Sequence, residues 1–193
     1  MPKLIFVSGA SGSGKTETIA AITGPVLKIE VDAIQLESAR RAFPFLRSGR
    51  EYDWFLWPRD PSTIDLERLL ELSIAGQVRQ LAEHRGDLIA EGAILVNEWF
   101  RMPFRRALAR LGHSFADADV VCLFLDAPPA LMLEHIHQRA ARWPHRRHER
   151  AHYPDVAAVD RLRNLHLAQL ATGRWELVPD PQSLSTRLDD LLA

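Results

Sequence analysis

Along this chain, short continuous apolar runs alternate with segments in which apolar residues recur at helical spacing. Runs of strand length occupy residues 3–7, 26–31, 87–91, 119–125 and 174–178. Helical spacing is clearest over about residues 64–84, with Ser62 or Thr63 as the expected cap, and again over about residues 183–192. The alternation predicts a three-layer α/β fold, in which helices cover both faces of a five-stranded parallel sheet.

Length and composition bound the class of protein. The chain has 193 residues, which suits one domain with a hydrophobic core, and no repeat or linker divides it. Its net charge of −1 gives no general attraction to nucleic acid or to an anionic membrane. The N-terminus lacks a signal-peptide pattern, no apolar run is long enough to span a bilayer, and the single Cys122 lies in an apolar strand run. We therefore expect a cytoplasmic protein whose partners include neither nucleic acid nor membrane.

A glycine-rich motif lies between the first predicted strand and a helical segment. It fits the pattern G-x-x-x-x-G-K-T and consists of Gly9, Ala10, Ser11, Gly12, Ser13, Gly14, Lys15 and Thr16. In such a loop, backbone N–H groups converge on a phosphate, and the N-terminus of the next helix adds partial positive charge. Lys15 is predicted to reach the β- and γ-phosphates, and the Thr16 hydroxyl is predicted to bind Mg²⁺. The motif therefore predicts a site for a nucleoside triphosphate.

Acidic residues follow the second and third predicted strands, where ligands collect in an open parallel sheet. Asp32 is predicted to accept a proton from a substrate hydroxyl; the alternative is an N-cap for the helix near residues 33–42, and one side chain can serve both purposes. Glu91 is predicted to bind Mg²⁺, partly through water, or to contact the substrate, with a local hydrogen bond as the alternative. Gly92 would allow close approach of backbone or ligand.

These features together resemble the P-loop small-molecule kinases, in the branch of uridine kinase, nicotinamide riboside kinase and phosphoribulokinase. Residues 91–95 are similar to the Glu-Gly-aliphatic segment of that branch, and residues 52–65 are similar to its aromatic segment before a long helix. The likeness spans residues 3–150. It implies a P-loop NTPase fold and transfer of the γ-phosphate of ATP to a hydroxyl of a small molecule, with a nucleoside or nucleoside-like compound as the leading acceptor.

Aromatic residues crowd the irregular segment 43–61, which belongs to a candidate acceptor-binding segment over about residues 33–61. Aromatic faces can stack on a base or cover a sugar, and we predict that Tyr52 and Trp57 contact the substrate. The alternative is that these rings only pack an irregular connection onto the sheet.

Arginines crowd a second irregular segment, over about residues 142–155, beyond the helix that follows the fourth strand. Pro144 should end that helix. The segment resembles the arginine-bearing lid of P-loop kinases, in which a guanidinium stabilises the transferred phosphoryl group and closure excludes water. Arg139 and Arg142 are the favoured phosphate contacts. The alternative is a charged face exposed to solvent.

Other functions compete with this interpretation. ATP is preferred over GTP because the sequence has no Asn-Lys-x-Asp motif for reading guanine, and the same absence disfavours a GTPase-type switch. A kinase of another sugar or small metabolite is the near alternative. A P-loop ATPase or a nucleotide-dependent regulatory protein is the alternative from another class. The sequence leaves open whether the chain acts as a homodimer.

Overall fold

The computed structural model describes residues 1–42, 65–143, 148–170 and 174–193. At its centre is a five-stranded parallel sheet with the strand order β2-β3-β1-β4-β5. The strands are β1 (Leu4–Ser8), β2 (Leu27–Glu30), β3 (Leu88–Glu91), β4 (Val120–Leu125) and β5 (Glu176–Val178). The helices are α1 (Lys15–Ala21), α2 (Val31–Ala42), α3 (Leu66–Gln77), α4 (Glu98–Arg110), α5 (Pro129–Arg142), α6 (His148–His152), α7 (Val156–Gln169) and α8 (Pro181–Leu192). The five predicted strands are confirmed, with small shifts at their ends.

Helices cover both faces of the sheet, which explains why its strands are continuous apolar runs. Side chains alternate along β1, so Leu4 and Phe6 point to one face while Ile5 and Val7 point to the other. The first face packs against α2, α3 and α4, and the second packs against α1 and α8. The predicted three-layer α/β architecture is therefore confirmed.

A third, smaller apolar cluster lies at the carboxyl ends of the strands. It joins Ala10 of the glycine-rich loop to Met132 and Ile136 of α5 and to Val159 of α7. Because these side chains are buried against one another, α5 and α7 are held beside the loop. This cluster determines which helices can contribute side chains to a ligand bound there.

The helix predicted over residues 64–84 is shorter than expected. It begins at Leu66 because the Asp65 carboxylate caps it, accepting a hydrogen bond from the N–H of Arg68 at 2.9 Å. It ends at Gln77 and is followed by a 3₁₀ turn over Arg79–Ala82. The expected caps, Ser62 and Thr63, lie outside the described residues. Within the described ranges, no helix is long and apolar enough to cross a membrane.

Candidate active site

The glycine-rich loop connects β1 to α1 and runs very close to α5. Gly12 has a positive φ of 83°, and a Cβ atom there would lie 2.5 Å from the carbonyl oxygen of Met132. Only glycine fits this position without displacing α5. On the same side, Nδ1 of His135 donates a hydrogen bond to the carbonyl oxygen of Gly12 at 2.9 Å. The loop is therefore fixed from the α5 side by packing and by a histidine.

Thr16 and Glu91 connect the loop to the end of β3. The Thr16 hydroxyl donates a hydrogen bond to Oε2 of Glu91 at 3.0 Å. Glu91 is only 6% exposed, and burial raises the pKa of its carboxyl group, while the charge of Lys15 and the Thr16 hydroxyl act in the opposite direction. A hydroxyl and a carboxylate side by side are hard oxygen donors of the kind that Mg²⁺ prefers. The two residues thus fit the predicted metal site.

Asp32 lies next to this pair because α2 begins directly after β2. The helix starts at Val31, so Asp32 is in its first turn, and the alternative that Asp32 is the N-cap is wrong. Strand β2 pairs with β3, and a Cβ atom on Gly92 would lie 2.9 Å from Oδ1 of Asp32. Glycine at position 92 therefore permits the close approach that places the carboxylates of Asp32 and Glu91 at the same edge of the sheet.

Arg139 reaches the loop from α5. Its Nη2 atom donates to the Ser11 hydroxyl at 2.8 Å, and its Nε and Nη2 atoms donate to Oε2 of Glu149 at 3.0 and 2.9 Å. The Arg139 side chain lines a small cavity together with His135, Lys15 and Thr16. A positive charge therefore stands over the loop, opposite the acids of β3 and α2.

Arg142 is placed differently. Its guanidinium carbon lies 5.4 Å from the ring centroid of the neighbouring Trp143, its side chain is exposed, and it does not line that cavity. Helix α5 ends at Arg142, before Pro144, as predicted. Of the predicted lid, α6 is described and residues 144–147 are not. The role of Arg142 as a phosphate contact stays a prediction, as does the lid's closure.

Helix α7 contributes two residues that the sequence did not single out. Arg163 forms a two-point ion pair with Asp126 at the end of β4, with N···O distances of 2.5 and 2.7 Å. One turn further on, Nδ1 of His166 is buried without a hydrogen-bond partner among the described residues. Burial, with the charge of Lys15 added, lowers the pKa of His166 to about 4. The His166 ring is therefore uncharged near neutral pH, and the positive charge of Lys15 acts on it.

Two residues that contact the loop, His135 and Pro181, were not predicted but could have been found from the sequence. His135 precedes Arg139 by four residues, so both lie on one face of α5. Pro181, at the start of α8, packs on the loop, because its Cγ atom would lie 3.0 Å from a Cβ atom on Gly14. Glu149 and His166 had no comparable signal, since only the packing of α6 brings Glu149 onto Arg139 and only the packing of α7 brings His166 under the electrostatic influence of Lys15.

The structure therefore brings five predicted residues to the loop end of the sheet: Lys15, Thr16, Asp32, Glu91 and Arg139. The predicted acceptor contacts Tyr52 and Trp57 lie outside the described residues.

Comparison with solved structures supports this fold. The chain is similar to the protein TT1252 of Thermus thermophilus, with 18% identity, a TM-score of 0.53 and coverage of 99% of this chain and 96% of that one. It is similar to a proposed kinase from Chloroflexus aurantiacus, with 18% identity, a TM-score of 0.54 and coverage of 100% and 99%. It is also similar to the tunicamycin resistance protein of Deinococcus radiodurans, with 19% identity, a TM-score of 0.54 and coverage of 98% and 95%.

Comparison of the sequence itself gives the family. A search of curated proteins found no significant match. The profile of the Zeta toxin family matches residues 1–172, a range that contains the loop, both acids and the α5–α7 region. These comparisons support a P-loop kinase-like protein and do not single out the uridine kinase branch. With the profile covering most of its length, the chain belongs to the Zeta toxin family.

Proposed function

We propose that this protein is an ATP-dependent phosphotransferase that moves the γ-phosphate to a hydroxyl group of a small molecule. The observation that carries the proposal is the meeting of Asp32 and Glu91 beside Lys15 and Thr16. A loop that only binds a nucleotide needs the lysine and the threonine. Two carboxylates at the ends of neighbouring strands add groups that can act on a second substrate and on a metal ion.

The reaction uses opposite charges on the two sides of the loop. The acceptor oxygen attacks the γ-phosphorus, its proton passes to the Asp32 carboxylate, and the bond from the γ-phosphorus to the bridging oxygen breaks to leave ADP. Lys15 and Arg139 are the cations that stabilise the negative charge spread over the transferred group. Thr16 and Glu91 would hold Mg²⁺, which neutralises phosphate charge when it is bound.

The proposed acceptor class rests on the resemblance to the uridine kinase branch and on the aromatic segment 43–61. A nucleoside or nucleoside-like compound is the leading acceptor, with Tyr52 and Trp57 as its proposed contacts. Another sugar or small metabolite is the alternative. One structural neighbour is named a tunicamycin resistance protein, so tunicamycin belongs among the acceptors tested.

The test is ADP formation from ATP and Mg²⁺ with and without a panel of nucleosides, sugars, amino alcohols and tunicamycin. We expect ADP formation to depend on one acceptor class and to match the amount of phosphorylated product found by mass spectrometry. Lys15→Ala is the inactive control, with a loss of at least about 10²-fold, because it removes one electrostatic contact to the transition state.

Two results would contradict the proposal. Phosphate release without any phosphorylated acceptor would indicate an ATPase. Nucleotide binding with neither transfer nor hydrolysis would indicate a regulatory protein. Near-normal turnover in a folded Lys15→Ala variant would separately refute the role of Lys15.

A further inference from the structure

Helix α6 is connected to the glycine-rich loop through the Arg139 side chain. Glu149 is on α6, its side chain is 12% exposed, and its carboxylate contacts two nitrogens of Arg139, which is itself 27% exposed. The same guanidinium bonds the Ser11 hydroxyl of the loop. Arg139 is thus held at two points, one on the loop and one on α6.

We propose that Glu149 is the residue that positions Arg139 for the phosphates, so that α6 and the bound nucleotide act on each other through this one side chain. The proposal rests on the proposed function only in taking the loop as a triphosphate site. Without Glu149, the long arginine side chain would sample many rotamers. Nucleotide binding would then have to immobilise it, and that loss of entropy would weaken the affinity.

The geometry indicates that Glu149 positions Arg139 rather than competing with the phosphates for its N–H donors. Glu149 accepts from the Nε–Nη2 edge of the guanidinium, and Nη1 has no hydrogen-bond partner among the residues that the structure describes. Arginine presents five donors in a fixed fork, so one edge can be held while other N–H groups meet an anion. A carboxylate on that edge fixes the plane of the fork without using all of its donors.

Neighbouring contacts fix Glu149 in turn. The N–H of Tyr153 donates to the backbone carbonyl of Glu149 at 2.9 Å, and the His137 ring on α5 contacts the carbonyl of Tyr153 at 3.3 Å. Burial and the nearby Glu149 charge raise the pKa of the Tyr153 hydroxyl, while Arg139 opposes that change. Helix α6 therefore has a defined place against α5, from which Glu149 can hold the arginine.

The experiment is a double-mutant cycle on ATP affinity, measured by calorimetry with Glu149→Gln, Arg139→Ala and the double variant. We expect Glu149→Gln to weaken ATP binding about five-fold or more, because the charge-assisted pair is lost while the side-chain shape is kept. In the Arg139→Ala background the same change should alter affinity less than about two-fold, since its effect passes through the arginine.

Two further variants complete the design. Glu149→Asp keeps the charge but withdraws the carboxylate, and should give a smaller loss in the same direction. Glu176→Gln breaks a similar two-point pair with Arg187 on the surface of β5 and α8, and should leave ATP affinity unchanged. Unchanged or tighter ATP binding by Glu149→Gln would overturn the proposal, as would an equal loss in the Arg139→Ala background.

The measurement separates this inference from the proposed function. If no acceptor is phosphorylated, the proposed function fails, but the cycle on ATP binding still gives a result. If transfer occurs and the cycle shows no coupling, the proposed function stands and only the role of Glu149 is lost.

Discussion

The hydroxyl of Thr16 donates a hydrogen bond to the Glu91 carboxylate at 3.0 Å, joining the first residues of α1 to the last residue of β3. These residues are 75 positions apart in the chain, and parallel pairing of β1 with β3 brings them together. The contact connects the phosphate-binding loop to the acids that follow the neighbouring strands. It lies at the centre of the candidate active site.

Glu91→Gln should lower turnover by about 10²-fold and raise the Mg²⁺ concentration needed for half-maximal rate, because an amide oxygen is a poorer metal ligand than a carboxylate. The fold should tolerate the change, since burial already disfavours the charged form of Glu91. The measurement is a Mg²⁺ titration of ADP formation, with Glu98→Gln, an exposed acid in the first turn of α4, as the control. Wild-type metal dependence would show that Glu91 only supports the loop.

Asp32→Asn should spare ATP affinity while reducing phosphoryl transfer by roughly 10²–10⁴-fold, the range expected when a general base is lost. Calorimetry with ATP and turnover by ADP release separate the two effects. Glu37→Gln removes an acid from α2 itself, where Glu37 pairs with Arg41 at the surface, and should retain turnover within about two-fold. If Asp32→Asn turns over normally, the carboxylate serves only the start of α2, where an acid is favourable near the helix N-terminus.

Arg139→Ala and Arg142→Ala should differ, although the sequence treats these arginines alike. Arg139 bonds the loop through Ser11, so its loss should lower kcat by about 10²-fold, more than it raises the KM for ATP. Arg142 packs on Trp143 in solvent, so its loss should change kcat less than about three-fold. The measurement is the steady-state kinetics of both variants. Equal losses in kcat would contradict the prediction and would mean that the 142–155 segment moves onto the nucleotide.

His166 should make the fold less stable in mild acid. Its pKa is about 4 in the folded state against 6.5 ordinarily, so the unfolded chain binds the proton first as the pH falls. Stability contributed by the neutral ring is complete above pH 6.5 and falls towards pH 4, by up to about 3 kcal/mol for this pKa difference.

The check on His166 is urea denaturation from pH 7.5 to 4. A His166→Asn variant should show a flatter dependence of the free energy of unfolding on pH than the wild type does. If the two profiles are parallel, His166 titrates at its ordinary pKa, and its ring is not buried beside Lys15.

Much of this protein was determined by local sequence. The apolar runs specify the strands because a strand covered by helices on both faces must be apolar throughout. The glycines of the loop motif are readable from sequence as well. At position 12 only glycine is tolerated, because its φ is positive and a Cβ atom would collide with the backbone of α5. Asp32 and Glu91 were predictable because any residue that ends a parallel strand arrives at the same edge of the sheet.

The tertiary structure decided which of the remaining candidates reach that edge. Arg139 and Arg142 look equivalent in sequence, but only Arg139 faces the loop, because the direction of a helical side chain depends on how the helix is packed. Packing of α6 brings Glu149 onto Arg139, and packing of α7 brings His166 within the electrostatic influence of Lys15, over separations that no periodicity encodes. Local patterns specify which elements form and in what order, whereas contacts between distant helices depend on the packing of the whole core.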